Sequence, residues 1–304
     1  MEVWAQLIAS AISAGTPLLL AACGLLINEK CGVVNLGAEG MMALAAVCGF
    51  AVALGSGAPG LGLLAAALAG MAGALLFAAL CLGLGANQYA CGLALALLGG
   101  GLASYLGLPY AGASLRNSAP GIPGLSELPF LGQALFSQHW LAYFALALAV
   151  FLHWFFKHSR AGLVLRAVGE SPQAAHALGF SVQRMRLLAL LAGGACCGLA
   201  GGFLSLVYTP LWVDGMVAGR GWIALALTTF ASWRPLRLLL GAWLFGGVTI
   251  LGFHAQAQGV QIASQFLSML PYLAAIAVLV FMSRRGSQGR DMPAAMGQNF
   301  ESRG

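Results

Sequence analysis

From Gly40 to Leu115 the chain runs for 76 residues without one Asp, Glu, Lys, Arg or His. A helix crosses the hydrocarbon layer of a bilayer in ~20 apolar residues, so this stretch alone must cross several times. Its apolar runs are continuous and rich in Leu, Ala and Gly. The strict alternation of membrane barrel strands is missing. Lipid-exposed backbone has to satisfy its own hydrogen bonds, and helices are the remaining solution. Composition agrees: only 7% of the 304 residues are charged, against ~25% in soluble domains. The sequence predicts an all-α polytopic transmembrane bundle forming a single domain, residues 1–304.

Apolar runs near 4–27, 31–54, 60–86, 88–107, 139–157, 187–209, 218–233, 236–254 and 264–282 are the expected spans, within a range of eight to ten segments. The run 218–233 is short enough to be re-entrant. Lys and Arg gather in short loops on the cytoplasmic side of membrane proteins. Here Lys30, Lys157, Arg160, Arg166, Arg184, Arg186, Arg234, Arg237, Arg284, Arg285, Arg290 and Arg303 fall on one side if the spans alternate, leaving Arg116 and Arg220 outside. That side is expected to be cytoplasmic and to carry the C-terminus. Nine spans put the N-terminus outside and ten put it inside. The start, MEVWAQL, has no basic region, so a cleaved secretory signal is not expected. Residues 108–138, with four prolines, read as an external loop or lid, and 283–304 as a polar, disordered cytoplasmic tail.

The seven cysteines lie in or beside apolar runs without C-x-x-C spacing, and read as small hydrophobes. No His-Glu-x-x-His pattern or nucleophile elbow occurs, so neither a metal site nor catalysis is expected. Basic residues are not interleaved with aromatics on any soluble segment, which argues against nucleic acid. Neither lysine completes a phosphate-binding loop: Lys30 precedes Cys31 and Lys157 precedes His158.

The cytoplasmic loop 158–186 holds the clearest local signal. Ser171 is an N-cap followed by Pro172 at the first helical position. Gln173, Ala174, Ala175, His176, Ala177 and Leu178 follow, and Gly179 stops the helix. A helix of about two turns is expected. It serves either as a contact for another protein or as a turn packing on its own bundle. Glu39 is the sole charge between Cys31 and Leu115. A carboxylate inside a span costs ~2.5–3.5 kcal/mol, so it either lines a path or pairs with a neighbouring helix. Glu29 and Lys30 read as a solvated interfacial pair, while Asn28 and Asn35 cap or unwind a helix break that Gly32 and Gly37 permit. From Gly32 onward a glycine-loosened helix is expected. Asn87 and Gln88 serve either a solute or a turn. Asp214 and Arg220, at the start of a short half-helix, are expected on the external side, paired with each other.

The string Gln173-Ala174-Ala175-x-x-x-Gly179 resembles the Glu-Ala-Ala-x-x-x-Gly element of ABC importer permeases, with Gln in place of Glu. The longer RAGLVLRAVGESPQAAHALGFSV is similar to the ribose, branched-chain amino-acid and nucleoside permease superfamily. NEKCGVVNLGAEGMM, Asn87-Gln88-x-x-x-Gly92-Leu93-Ala94-Leu95, GMVAGRGWIALA from Gly215 and Met269-Leu270-Pro271-Tyr272 resemble its nucleoside type. The resemblance implies a non-enzymatic permease subunit of an ATP-driven importer in the bacterial inner membrane. Residues Glu170, Ser171, Pro172, Gln173, Ala174, Ala175, His176 and Gly179 would form the coupling element seated on a cytoplasmic ATPase. That separate chain would use ATP and Mg, with no cofactor on this one. A second, different permease subunit and an external nucleoside-binding protein are further implied partners. Asn35, Glu39, Asn87, Gln88, Asp214 and Arg220 are the candidate path or gate residues. A sugar or branched-chain amino-acid permease of the same superfamily is the nearest alternative, and an ion-coupled secondary transporter a more distant one.

Overall fold

The structure, a computed structural model, describes residues 2–115, 132–258 and 292–300, with helical positions 266, 269, 270, 273, 276, 277 and 280. Most of the span expected at 264–282, and the loop core 116–131 with Arg116, lie outside the described residues. So do 283–291 and 301–304. Ten helices make up the described fold: α1 Glu2–Lys30, α2 Ala38–Ser56, α3 Pro59–Ala78, α4 Gln88–Gly107, α5 Trp140–His158, α6 Arg160–Glu170, α7 Pro172–Ala177, α8 Val182–Phe203, α9 Arg220–Phe230 and α10 Pro235–Ala257. Single π turns prolong α3 (Ala79–Gly83) and α8 (Leu204–Tyr208). Seven of these helices are long and apolar enough to cross a membrane. The bundle is polytopic and all-α, as the charge-free run requires.

Helix α1 is the central pillar, buried without interruption from Ala14 to its end at Lys30, and the burial continues through Asn35 in the break that follows. It packs on α8, α9 and α10, while α3 packs on α2 and α8. Small residues permit these close crossings. A Cβ on Gly99 of α4 would fall onto the carbonyl of Gly40 in α2, and one on Gly70 of α3 onto that of Gly194 in α8. Membrane helices associate through such small-residue contacts, because lipid supplies no hydrophobic drive between them. Leu64, Leu68, Leu97, Leu240 and Leu251 point outward and are exposed.

Two stretches break the helical pattern. Residues 31–37 leave the end of α1 and climb beside α4: Leu36 abuts Gly92 and Gly37 abuts Leu95. Helix α2 therefore begins about halfway along α4, not at Gly32 as the sequence suggested. The second break is 209–219, which descends from the other end and pairs with residues 113–115, at the start of the loop that follows α4. Leu115 N–H donates to the Pro210 carbonyl at 2.8 Å and Trp212 N–H to that of Ala113 at 3.1 Å. Helix α9 then runs back toward the end where α1 stops. Two half-buried helix starts thus meet at mid-depth, an arrangement of discontinuous helices found around transporter sites.

Several expectations need correction. Glu29 and Lys30 are not a solvated pair, since both side chains are buried. Glu29 instead accepts from Thr228 Oγ1 at 3.0 Å and from Trp233 Nε1 at 2.5 Å. Those bonds satisfy the carboxylate and fix the α9–α10 turn, where Ser232 and Trp233 take left-handed backbone at φ 50° and 53°. Asn28 lies in the last turn of α1, where its main-chain carbonyl, not its side chain, accepts from Cys31 and Val33 N–H at 3.1 and 3.0 Å. Nor are the final residues all disordered: 292–300 fold against the bundle, with Ala295 buried. The loop 158–186 contains an additional helix, α6, capped by Ser159, whose Oγ accepts from Gly162 N–H at 2.9 Å.

Candidate functional site

Glu39 stands in the first turn of α2, where the helix dipole favours negative charge. Its carboxylate also reaches the first turn of α9. Oε1 accepts from Gly219 N–H at 2.8 Å and Oε2 from Gly221 N–H at 2.7 Å. The chain aims these two amides by a tight turn with left-handed backbone at Gly215, Ala218 and Gly219 (φ 69°, 50° and 80°). Ala218 adopts that conformation without the freedom of glycine, a departure that concentrates at functional sites. One carboxylate thus ties together two helix N-termini at mid-depth. Helix α9 is held at its other end by Glu29, so both of its ends depend on carboxylates from the α1–α2 region.

On the side of Glu39 away from the α6–α7 loop lies a cavity of about 280 Å³, lined by Glu39, Ala43, Gly100, Ser104, Trp212 and Asp214 among others. Ser104 Oγ donates to Asp214 Oδ1 at 2.6 Å. The Trp212 indole is buried against Gly107 and Phe50, giving the cavity an aromatic wall. Asp214 is exposed, so its remaining acceptor sites are open to a solute that brings hydroxyl or amide donors.

Arg220 does not pair with Asp214. Its Nη1 donates to the carbonyls of Met216 and Val217 at 2.8 and 3.2 Å, and the guanidinium stands 5.8 Å from the Tyr208 ring centroid. It braces the turn ahead of α9, and the short local reach to main-chain acceptors outcompetes the exposed carboxylate. Asn87 and Gln88 lie at the far end of α4 from Ser104. Asn87 Oδ1 caps that helix, accepting from Tyr89 and Ala90 N–H at 3.0 and 3.1 Å. Gln88 is buried and accepts from Val34 N–H at 2.9 Å. Asn35 Oδ1 accepts from Gly37 N–H at 2.9 Å, turning the chain just before α2. Of the six candidate path residues, only Glu39 and Asp214 line the cavity; Arg220 supports its rim, and Asn35, Asn87 and Gln88 organise the break beneath it. Ser104 and Trp212 are the hydroxyl and indole groups of the lining that sequence reasoning missed. Nothing in an apolar helix marks a serine as functional.

The α7 element forms as its residues dictate. Ser171 Oγ accepts from Ala174 N–H at 3.3 Å, Pro172 opens the helix, and Gly179 ends it at φ 88°. Ala175 faces inward and is buried, while Leu178 is 76% exposed and Phe180 41%. Glu170 and His176 both touch segment 292–300: Ala294 N–H donates to Glu170 Oε2 at 3.3 Å, and the His176 and Phe300 rings meet edge to face at 5.5 Å.

A family model described as "Branched-chain amino acid transport system / permease component" matches residues 7–282. A putative glucose ABC transporter permease protein, TsgC13 of Haloferax volcanii, is 39% identical over 99% of this chain and 98% of its own length. The guanosine ABC transporter permease protein NupQ of Bacillus subtilis is 32% identical, covering 98% of this chain and 97% of the relative. The nucleoside ABC transporter permease protein NupC of Lactococcus lactis is 33% identical over 90% of each. No solved structure matches.

Proposed function

Because this chain belongs to the branched-chain amino acid transport permease family and is a multi-pass membrane permease subunit, we propose that it carries nucleosides inward, driven by a separate ATPase that grips α7. The observation that carries this reading is the mid-depth junction of α2 and α9, with a solute-sized cavity above Glu39 and a capped, exposed helix at the opposite end. Small-molecule sites typically occupy ~300 Å³ or more and combine an apolar wall with a few placed polar groups. The Trp212 wall suits a base, and the Asp214–Ser104 pair suits ribose hydroxyls. Two relatives named for guanosine and nucleosides, matched over almost the whole chain, support the choice.

In this reading the α6–α7 end is cytoplasmic. The gathering of Lys30, Lys157, Arg160, Arg166, Arg184, Arg186, Arg234 and Arg237 at that end supports this, because short cytoplasmic loops carry an excess of Lys and Arg. ATP and Mg act on the partner ATPase, and Ser171 to Gly179 shape the surface it holds. A second, different permease subunit completes the path, and an external binding protein delivers solute to the cavity end. Sugar transport is the second reading, favoured by the relative named as a putative glucose permease. The two are separated by uptake of labelled uridine, guanosine and glucose in cells with and without this chain. Loss of nucleoside uptake alone supports the first reading. Loss of glucose uptake alone supports the second. Nucleoside uptake that survives removal of the partner ATPase refutes ATP coupling.

A further inference from the structure

Segment 292–300 is hydrogen-bonded to several separate parts of the bundle. Ala295 N–H donates to the Gly169 carbonyl at 3.0 Å, at the end of α6, and Gly297 N–H donates to that of Gly32 at 3.0 Å. Arg186, fully buried in α8, donates from Nη1 to the Gln298 carbonyl at 2.8 Å. Asn299 Nδ2 donates to the carbonyls of Gly85 and Ala86 at 2.6 and 3.0 Å, and its Oδ1 accepts from Gln88 Nε2 at 3.1 Å. The Gln88 amide accepts from Val34 N–H, inside the break that leads to Glu39. Phe300 meanwhile lies against His176 of α7.

These contacts form one continuous chain: His176 to Phe300, Asn299 to Gln88, Gln88 to Val34, Asn35 to Gly37, and then Glu39. Helix α6 already abuts Lys30 through Gly169. The segment adds a second link that starts on α7 itself and ends on the loop beneath the cavity. We propose that segment 292–300 is a positioning strap for transport, passing displacement of α7 to the 31–37 break and so to the junction at Glu39. The proposal rests on the reading of α7 as the ATPase contact. Gln88 and Asn299 act through the break, not on the solute. Packed side chains and hydrogen bonds carry coupling only where they join elements that move, and α7 and 31–37 are the short elements that this segment joins at this end.

Asn299 is exposed and Phe300 half-buried, so Asn299→Ala and Phe300→Ala each cut one link without opening the core. The complete transporter in proteoliposomes, assayed with labelled uridine and guanosine, should keep solute-stimulated ATP hydrolysis in both variants. Solute moved per ATP should fall roughly tenfold in Asn299→Ala, which removes three side-chain hydrogen bonds, and should fall in Phe300→Ala, which removes the ring contact with His176. An unchanged ratio in both variants, or a proportional loss of hydrolysis and transport, overturns the strap. Wild-type vesicles whose hydrolysis ignores both nucleosides count against the underlying reading instead. Hydrogen exchange on the full chain in nanodiscs needs no ATPase. Asn299→Ala should speed exchange at Val34 and Gly37, and unchanged exchange there means that the segment does not hold the break.

Discussion

The Glu39 carboxylate accepts the main-chain N–H of Gly221 at 2.7 Å, across 182 residues of sequence. With the Gly219 bond it makes a single side chain the joint between α2 and α9. A Cβ on Gly221 would stand 2.6 Å from the Glu39 Cα, so the joint also requires the absence of a side chain there.

Glu39→Ala leaves the two part-buried amides at the start of α9 without their acceptor, at no more than about 1–3 kcal/mol each. Glu39→Gln keeps one acceptor oxygen and should lose less. Thermal unfolding in detergent should therefore rank wild type above Gln, and Gln above Ala, with uptake following the same order. Equal unfolding temperatures for wild type and Glu39→Ala would show that the joint does not stabilise the bundle.

Asp214→Asn probes the solute, not the fold. The residue is exposed, and such substitutions usually change stability by less than about 0.5 kcal/mol. A hydrogen bond to a charged group contributes about 1.5–3 kcal/mol, so KM for uridine should rise by at least tenfold with kcat little changed. A KM that stays put removes Asp214 from the solute's path.

Gly179 ends α7 at φ 88°. A branched residue in that conformation costs about 1–3 kcal/mol of strain, which Gly179→Val would relieve by distorting the turn after the helix. Nothing stands within 4 Å of a Cβ placed there, so membrane insertion should be normal while transport is lost. Normal transport by this variant would count against α7 as the coupling surface.

His139 precedes α5 and caps it, with Nδ1 accepting from Leu141 N–H at 3.2 Å. Burial lowers its pKa below the usual 6.5, so the unfolded chain takes up its proton first as pH falls. The neutral ring's contribution to stability is present above 6.5 and is lost as pH drops from there toward the folded pKa. Unfolding temperature should decline on acidification below 6.5, and His139→Asn, which keeps a capping oxygen, should flatten that decline. An identical pH profile in the variant would assign the decline to other groups.

Local features were read correctly because their causes are local. Ser171, Pro172 and Gly179 bracket α7 through contacts within a few residues, and continuous apolar runs specify spans by length alone. Charged and polar side chains were read less well. Glu29 looked like an interfacial residue because the partners that make its burial tolerable, Thr228 and Trp233, lie about 200 residues away. Arg220 was paired with the nearest carboxylate in sequence, whereas the folded chain offers it closer carbonyls.

By itself the sequence determined that this protein is a helical membrane bundle with a basic end and a capped short helix at that end. Those properties follow from hydration cost and backbone sterics, which act residue by residue. Tertiary structure decided the rest: that Glu39 joins two helix starts, that Ser104 and Trp212 wall a cavity with Asp214, and that residues 292–300 fold back beneath it. Each of these depends on hydrogen bonds between distant segments, such as Gln88 to Asn299 over 211 residues. The energy of such a bond exists only once packing has brought both partners out of water and into reach.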